Sequence, residues 1–341
     1  MMTLLKRARL NYFKDKGFAK YLLYAVGEII LVVTGILIAL NVNNWNNQEK
    51  LSEQSMNQLL AVQNELLENL ELAKTIILES EDKDASCNMV LSDTLEYEDY
   101  SSGGSWKMRG LLWNVSQFNP VKGSFEIFSS NRENHDESFD PILEKLNYLY
   151  TSHYDNIMLT NEALINSYEE ERQNLQRNHE WYWKVMNSPG FFDKDHIEYM
   201  LTDPFYKNKV SYMSQMVRSM YGYSNQFKLI AEQAIRDIDK ITNQPEREST
   251  ALYQVEARSS DLYLGEFEHE GDDKCWIVMK KDSSYHFVFR SDTFAIQFEN
   301  STNFYHFDYP EIFFEYKFSE NLSKLTYMRA TRETYTFDRV K

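Results

Sequence analysis

Glycine, proline and cysteine are scarce in this chain of 341 residues, which contains 11, 6 and 2 of them respectively. None of the glycines stands in a G-x-x-x-x-G-K, G-x-G-x-x-G or G-x-S-x-G motif, which excludes the common phosphate loops, dinucleotide-binding turns and nucleophile elbows. The seven histidines are scattered, and no two have the i, i+4 spacing of a helical zinc site. We therefore expect no enzymatic activity, no catalytic residues, no metal site and no cofactor.

The two cysteines, Cys87 and Cys275, fall in different predicted domains. A disulfide between them would join those domains in an oxidising compartment. Isolated cysteines are more often small buried hydrophobic residues. The sequence leaves the pairing open.

Basic residues are outnumbered by acidic ones, 36 to 52, which gives a net charge of −16. The first twenty residues are the exception, because they contain six Lys or Arg residues and one Asp. The rest of the chain therefore carries a net charge of −21. So acidic a surface repels nucleic acid, and we expect no nucleic-acid partner.

Apolar residues are concentrated at 21–40, YLLYAVGEIILVVTGILIAL, which contains one charge and no proline. A helix of about 20 apolar residues spans the ~30 Å hydrocarbon layer, so we predict a transmembrane helix over 21–42 that contacts the lipid bilayer. A cleaved signal peptide is the alternative. The long apolar run, and the lack of a small-x-small site after Ala39, favour an uncleaved signal anchor.

Charge on the two flanks of the predicted span sets its orientation. Residues 1–20 form a basic leader, whereas residues 41–49 contain no Lys or Arg. Basic flanks stay in the cytoplasm. We therefore predict a single-pass protein of the inner (cytoplasmic) membrane, with its amino terminus in the cytoplasm and the bulk of the chain in the periplasm.

An acidic residue, Glu28, interrupts the predicted span, where an ionised carboxylate costs about 2.5–3.5 kcal/mol. At 100° per residue, Glu28, Val32, Gly35 and Ala39 share one helix face, and the last two form a small-xxx-small pair. One interpretation is an association face for a homo-oligomer or a membrane-protein partner, with Glu28 protonated or hydrogen-bonded to the neighbour. The other is a tolerated acid beside a chance pair of small residues.

Residues 43–245 are predicted to form a helical bundle domain with three long helices, at about 49–96, 140–178 and 203–241. Their apolar residues recur at alternating intervals of three and four, the pattern of helices that pack in a bundle.

Dipeptides that end in proline mark where three helices should start. Asp-Pro at 140–141 and at 203–204 combines a capping acid with a proline suited to the first turn. Asn-Pro at 119–120 predicts a shorter helix over about 120–130.

Four polar residues interrupt these apolar seams: Gln63, His153, Thr160 and Ser224. Register control or a satisfied buried hydrogen bond is the commoner explanation for such residues. A small-ligand pocket in the bundle core is the alternative.

The hydrophobic period changes to two after the polar segment TNQPERES at 242–249. Short runs of alternating aromatic and aliphatic residues then follow at about ten-residue spacing, which predicts an antiparallel sandwich or barrel over 246–341. The predicted fold class is α+β: a single N-terminal transmembrane helix, a long-helix antiparallel bundle, and a small antiparallel β-sandwich or barrel.

The anchor sequence KYLLYAVGEIILVVTGILIALNVNNW resembles the opening of a family of uncharacterised single-pass bacterial membrane proteins of the Bacteroidetes type. In that family a K-Y-L-L-Y-A-x-G-E run precedes the span and an Asn-Trp pair follows it. NPVKGSFEIFSSN and DPFYKNKVSYMSQM are similar as well, so the resemblance covers roughly 15–242. The family has no known function, so the resemblance implies location and architecture rather than chemistry.

The tail, YLGEFEHEG to FDRVK, resembles the accessory β-domain of some bacterial serine hydrolases and peptidases. The hydrolase itself is missing from this chain. The resemblance therefore implies an accessory β-domain and no hydrolytic activity.

We expect a membrane-anchored, envelope-facing scaffold or sensor that is not an enzyme and acts through protein–protein contacts. The alternative is a small-ligand-binding receptor that uses the bundle core or the β-domain. A hydrolase with an unrecognised site is a remote third possibility.

Overall fold

The structure is a computed structural model that describes residues 16–102, 106–187, 193–245, 247, 260–269, 274–279, 284–290, 292–298, 300–306, 314–329 and 334–340. Most of the predicted basic leader lies outside the described residues. The chain divides into two units, one reaching Gln58 and including Asn131–Glu137, the other comprising Leu59–Ser130 and Ser138 onwards. Each unit is described by itself.

The longest element is α1, Lys16–Leu91, a single helix of 76 residues. The predicted anchor and the first predicted bundle helix are therefore one helix, because neither proline nor glycine occurs between Gly35 and Gly103 to interrupt it. In the first unit its large apolar side chains between Ile29 and Leu40 are 48–74% exposed. In the second unit α1 has a buried apolar face, formed by Leu59, Val62, Leu66, Leu70 and Ala73.

The other helices follow in chain order: α2 Tyr97–Ser101, α3 Trp106–Arg109, α4 Gly123–Ser130, α5 Asp140–Tyr148, α6 Tyr154–Asn178, α7 Tyr182–Asn187, α8 Lys194–Thr202, α9 Pro204–Ile241 and α10 Ser260–Tyr263. Two 3-10 turns, Arg132–Asn134 and Glu137–Phe139, precede α5, and one π-helical turn, Leu149–His153, joins α5 to α6.

Helix α9 runs antiparallel to α1. Gln63 on α1 contacts Asp239 near the end of α9, whereas Asp84 on α1 contacts Ser214 near its beginning. Helix α6 also packs on α9. The prediction of an antiparallel bundle of long helices is confirmed.

The predicted cap of α9 is present in the structure. Asp203 accepts hydrogen bonds from the amides of Phe205 at 2.7 Å and Tyr206 at 3.0 Å, and Pro204 occupies the first helical position.

The predicted start at Asp140 is confirmed but its predicted cap is wrong, and the start predicted at Pro120 lies three residues too early. Asp140 is the first residue of α5 and not its cap, because the preceding 3-10 turn leads straight into the helix and places Phe139 at the cap position. Helix α4 begins at Gly123 and not at Pro120, because polar side chains from other helices bind the backbone before it, Asn161 at Phe118 and Asn69 at Val121.

The C-terminal strands form a closed eight-stranded antiparallel barrel with neighbours in sequence order. The strands are β1 Gly265–Glu268, β2 Lys274–Met279, β3 Tyr285–Phe289, β4 Asp292–Phe298, β5 Asn303–His306, β6 Phe314–Phe318, β7 Lys324–Arg329 and β8 Thr334–Arg339. Pairing of Phe267 with Arg339 and of Glu268 with Asp338 closes the barrel. The sequence left sandwich and barrel open, and the structure is a barrel.

Aromatic side chains dominate the interior of the barrel. Phe304 and Tyr316 stack in parallel planes with 4.7 Å between ring centroids, and Phe298 and Phe318 pack beside Phe304. Burial of large rings of this kind supplies much of the stabilisation of so small a domain.

Candidate functional site

The four residues of the predicted association face, Glu28, Val32, Gly35 and Ala39, all lie on α1 and are all exposed. A methyl group added at Gly35 would meet no atom within 4 Å. Among the described residues, α1 is the helix that is long and apolar enough to cross a membrane. The face is therefore open to a neighbouring helix, and its use in association stays a prediction.

Gln63 is buried where α1 packs against the end of α9. Its side-chain nitrogen donates to the Oδ1 atom of Asp239 at 2.7 Å and to the carbonyl oxygen of Ile235 at 3.3 Å. Its side-chain oxygen accepts from Arg247 at 3.2 Å, and Arg247 also donates to Asp239 at 3.3 Å. Gln63 therefore helps to hold Arg247, which follows α9 in the chain, against the bundle.

His153 is buried in the π-helical turn Leu149–His153, among the rings of Tyr148, Tyr223 and Phe227. Its Nε2 atom lies 2.9 Å from the carbonyl oxygen of Tyr223 and must carry the proton, because a carbonyl only accepts. The Nδ1 atom is buried with no hydrogen-bond partner among the described residues. Burial lowers the pKa of His153 to about 4, so the ring is neutral at neutral pH.

The other two predicted core residues, Thr160 and Ser224, differ in whether their hydroxyl groups have a hydrogen-bond partner. The hydroxyl of Thr160 donates to the carbonyl of Asn156 in its own helix at 3.0 Å. The hydroxyl of Ser224 is fully buried and has no hydrogen-bond partner within the part of the chain that the structure describes.

The four polar residues do not assemble into one site. His153 bonds the carbonyl group of Tyr223, the residue before Ser224. Gln63 instead contacts α9 at Ile235, eleven residues after Ser224, or about 16 Å along the helix. Thr160 bonds within α6. The geometry therefore offers separate polar contacts in the bundle rather than a shared pocket.

Three buried polar residues that the sequence analysis did not single out hold the chain that leads into α4. Asn161 on α6 bonds both backbone groups of Phe118. Asn69 on α1 does the same to Val121, at 2.8 Å for the amide and 2.6 Å for the carbonyl. Glu65 accepts from the first backbone amides of α4, at 2.7 Å from that of Ser124 and 3.3 Å from that of Phe125.

A second group missed from the sequence centres on the buried carboxylate of Glu171. Tyr199 donates its hydroxyl to this carboxylate at 2.6 Å, and Lys209 forms an ion pair with it. Burial raises the pKa of Tyr199, and the hydrogen bond to Glu171 adds to the shift. This group links α6, α8 and α9 at one end of the bundle.

Next to this group, His196 on α8 lies between aromatic rings. It stacks on Trp113 with 5.2 Å between ring centroids and on Trp181 with 4.3 Å. Burial lowers the pKa of His196 to about 4, with a smaller contribution from Arg109. No local sequence pattern brings these rings together, because they come from three separate segments.

Lys83 on α1 is half-buried and donates to the backbone carbonyl of Asn114. Burial lowers the pKa of its ammonium group to about 8. Lys83 lines a cleft of about 320 Å³ between α1 and the stretch from α3 to Ser116.

Neither cysteine forms a disulfide, since Cys87 and Cys275 are both free and buried. Burial raises the pKa of each thiol to about 12, so both stay protonated. Among the described residues, no group of three or more His, Cys, Asp or Glu side chains could hold a metal ion.

The chain from Glu28 in α1 to Lys107 in α3 is similar to a known family. A family of unknown function, DUF6090, matches residues 28–107. No curated protein and no solved structure matches the chain. The match agrees with the expectation of an uncharacterised family, and it carries no activity with it.

Proposed function

We propose that this protein is a membrane-anchored, envelope-facing scaffold or sensor that acts through protein–protein contacts and is not an enzyme. The observation that carries the proposal is the exposure of α1. Its large apolar side chains from Ile29 to Leu40 point outward all round the helix and are 48–74% exposed. A helix apolar on every side belongs in a lipid bilayer and not in water.

The orientation of the chain rests on charge. The leader carries six basic residues among its first twenty, whereas residues 41–49, on the other side of the predicted span, contain no Lys or Arg. The positive-inside rule keeps the leader in the cytoplasm and sends the helical bundle and the barrel across the inner membrane into the periplasm. The resemblance of the anchor to single-pass bacterial membrane proteins supports the same placement.

A structural role for the bundle is supported by the use of its buried polar groups. Asn69, Asn161 and Glu65 bind backbone groups of the segment before and within α4. Such contacts satisfy these buried polar groups and hold the chain segment in place.

Association within the membrane would use the face that carries Glu28, Gly35 and Ala39. Two copies that meet at the small residues bring their backbones close together. A carboxyl group at mid-membrane gains from a hydrogen bond to the neighbouring copy, because lipid offers none.

Cysteine-free variants carrying a single reporter cysteine at Asn43 can be crosslinked in native membranes to test this association. We expect a crosslinked homodimer in the parent and its loss in Gly35→Leu. Gly27→Leu is the matched control, since it lies about 100° round the helix from Glu28. A Cβ atom at either glycine meets no atom within 4 Å, so neither substitution disturbs the protomer. Equal amounts of crosslinked dimer in Gly35→Leu and Gly27→Leu would show that this face does not mediate association.

A further inference from the structure

A cleft of about 320 Å³ lies between the last third of α1 and the stretch from α3 to Ser116. On the α1 side it is lined by Glu79, Asp82 and Lys83, and on the other side by Lys107, Trp113 and Ser116, among others. Its volume is at the small end of the ~300–1,000 Å³ range of ligand pockets, which suits a ligand of one or two rings.

Trp113 provides a fixed apolar surface in this cleft. Its indole ring is stacked on His196 with 10° between the planes and 5.2 Å between the centroids. His196 is itself stacked on Trp181, which is buried. Because this stack holds the ring in place, Trp113 can offer its remaining surface to a ligand without first becoming ordered.

The charges that line the cleft balance one another. Glu79 and Asp82 supply carboxylates, and Lys83 and Lys107 supply ammonium groups. Lys107 forms an ion pair with Asp82, while Lys83 donates to the backbone of Asn114. An anionic ligand would meet the two carboxylates, and a cationic ligand would meet the two ammonium groups. A neutral ligand rich in groups that both donate and accept hydrogen bonds meets no such opposition.

We propose that this cleft binds a neutral saccharide of one or two rings. The apolar C–H face of a sugar ring packs on the indole of Trp113, as aromatic surfaces in binding sites accept apolar faces. Its hydroxyl groups donate to the carboxylate of Glu79 and accept from Lys83. Hydrogen bonds of this charge-assisted kind are the strong ones, and they give a small neutral ligand its orientation.

Saturation-transfer NMR on the full chain in lipid nanodiscs tests the proposal directly. The probes are cellobiose, maltose, mannobiose, xylobiose and N,N′-diacetylchitobiose. We expect saturation transfer to at least one disaccharide, strongest at the C–H protons of one ring face. Absence of transfer to all five would overturn the proposal, as would displacement of the bound disaccharide by inorganic phosphate.

Two variants locate the binding. Trp113→Phe keeps a ring that can stack on His196, and Glu79→Ala removes an exposed carboxylate from the cleft. We expect Glu79→Ala to weaken binding roughly tenfold, the usual loss for one charged hydrogen bond, and Trp113→Phe to weaken it less, because a smaller ring face remains.

The matched controls lie outside the cleft. Glu68→Ala is on the same face of α1, three turns earlier, and Trp183→Phe alters an exposed tryptophan on α7. Both should bind like the parent. Equal affinity in the cleft variants and the controls would overturn the assignment of the site.

Discussion

The side chain of Asn161 forms both backbone hydrogen bonds of Phe118, accepting from its amide at 3.1 Å and donating to its carbonyl at 2.8 Å. Asn161 lies on α6, 43 residues away in the chain, and Phe118 is fully buried. The side-chain amide thus satisfies both backbone polar groups of Phe118, as a neighbouring strand would in a sheet. This contact explains how residues with no regular secondary structure can enter the core with their polar groups satisfied.

Replacing Asn161 with alanine removes this support. The amide and the carbonyl of Phe118 would be left buried without partners, at about 1–3 kcal/mol for each group. We expect the free energy of unfolding, measured by urea titration of the full chain in detergent, to fall by about 2–4 kcal/mol. Asn166→Ala, at an exposed position of the same helix, should change it by less than about 0.5 kcal/mol. Similar losses in the two variants would contradict the role given to Asn161.

Two lysines on α9 form ion pairs that differ in burial. Lys209 pairs with Glu171, whose side chain is 1% exposed, whereas Lys207 pairs with Asp93, whose side chain is 78% exposed. Lys209→Met leaves a buried charge without its ion-pair partner and should cost about 3 kcal/mol. Lys207→Met should cost less than about 1 kcal/mol, because exposed ion pairs contribute little. Urea titration measures the free energy of unfolding of both variants. Equal losses would show that Lys209 does not stabilise the buried carboxylate of Glu171.

Stability should fall at mildly acidic pH because of His153. Its pKa is about 4 in the folded chain and about 6.5 when unfolded, so the unfolded state takes up a proton first as pH falls. The full stability is present above pH ~6.5 and is lost progressively towards pH ~4, by up to about 3 kcal/mol. His153→Gln removes the titrating group and should flatten that part of the curve. His196, also with a pKa of about 4, should account for most of the slope that remains. An unchanged pH profile in His153→Gln would contradict this account.

The helices were largely predictable because each buries one face against its neighbours. Of the eleven residues that the sequence places on the apolar seam of α9, all but Ile241 are buried: Tyr206, Val210, Met213, Val217, Met220, Ser224, Phe227, Ala231, Ala234 and Ile238. The alternating spacing of three and four therefore identifies the face of α9 that is buried. The continuity of α1 through residues 43–49 could also have been inferred, since neither proline nor glycine follows Gly35 before the helix ends at Leu91.

The strands were predictable in spacing, but the buried face was not predictable in every strand. On β2 the structure buries Cys275 and Ile277, whereas Trp276 is half-buried and Val278 is exposed. The sequence KCWIVM is apolar at five consecutive positions, so alternation cannot choose between its two faces. Closure of the barrel, which depends on all eight strands, decides the face.

The polar interior was the part least accessible from sequence. A polar residue in an apolar seam shows as an interruption, as Gln63 does, but nothing local says which distant group it binds. Asn69 and Asn161 bind backbone groups 52 and 43 residues away, and such partners appear only when the chain is folded. The cleft beside Lys83 could not be predicted for the same reason, because its two sides come from separate segments.

The central claim, that residues 21–42 anchor the chain in the membrane with the leader in the cytoplasm, is tested most directly by membrane topology. The protease sensitivity of a C-terminal tag is measured in intact bacterial spheroplasts. The membrane pellet is assayed for the chain after a carbonate wash in the same experiment. A span at residues 21–42 with a cytoplasmic leader predicts that the tag is digested without lysis and that the chain stays in the pellet. A variant that lacks residues 21–42 should leave the pellet. A tag protected until lysis, or a full-length chain released by carbonate, would contradict the anchor, the topology and the envelope-facing role together.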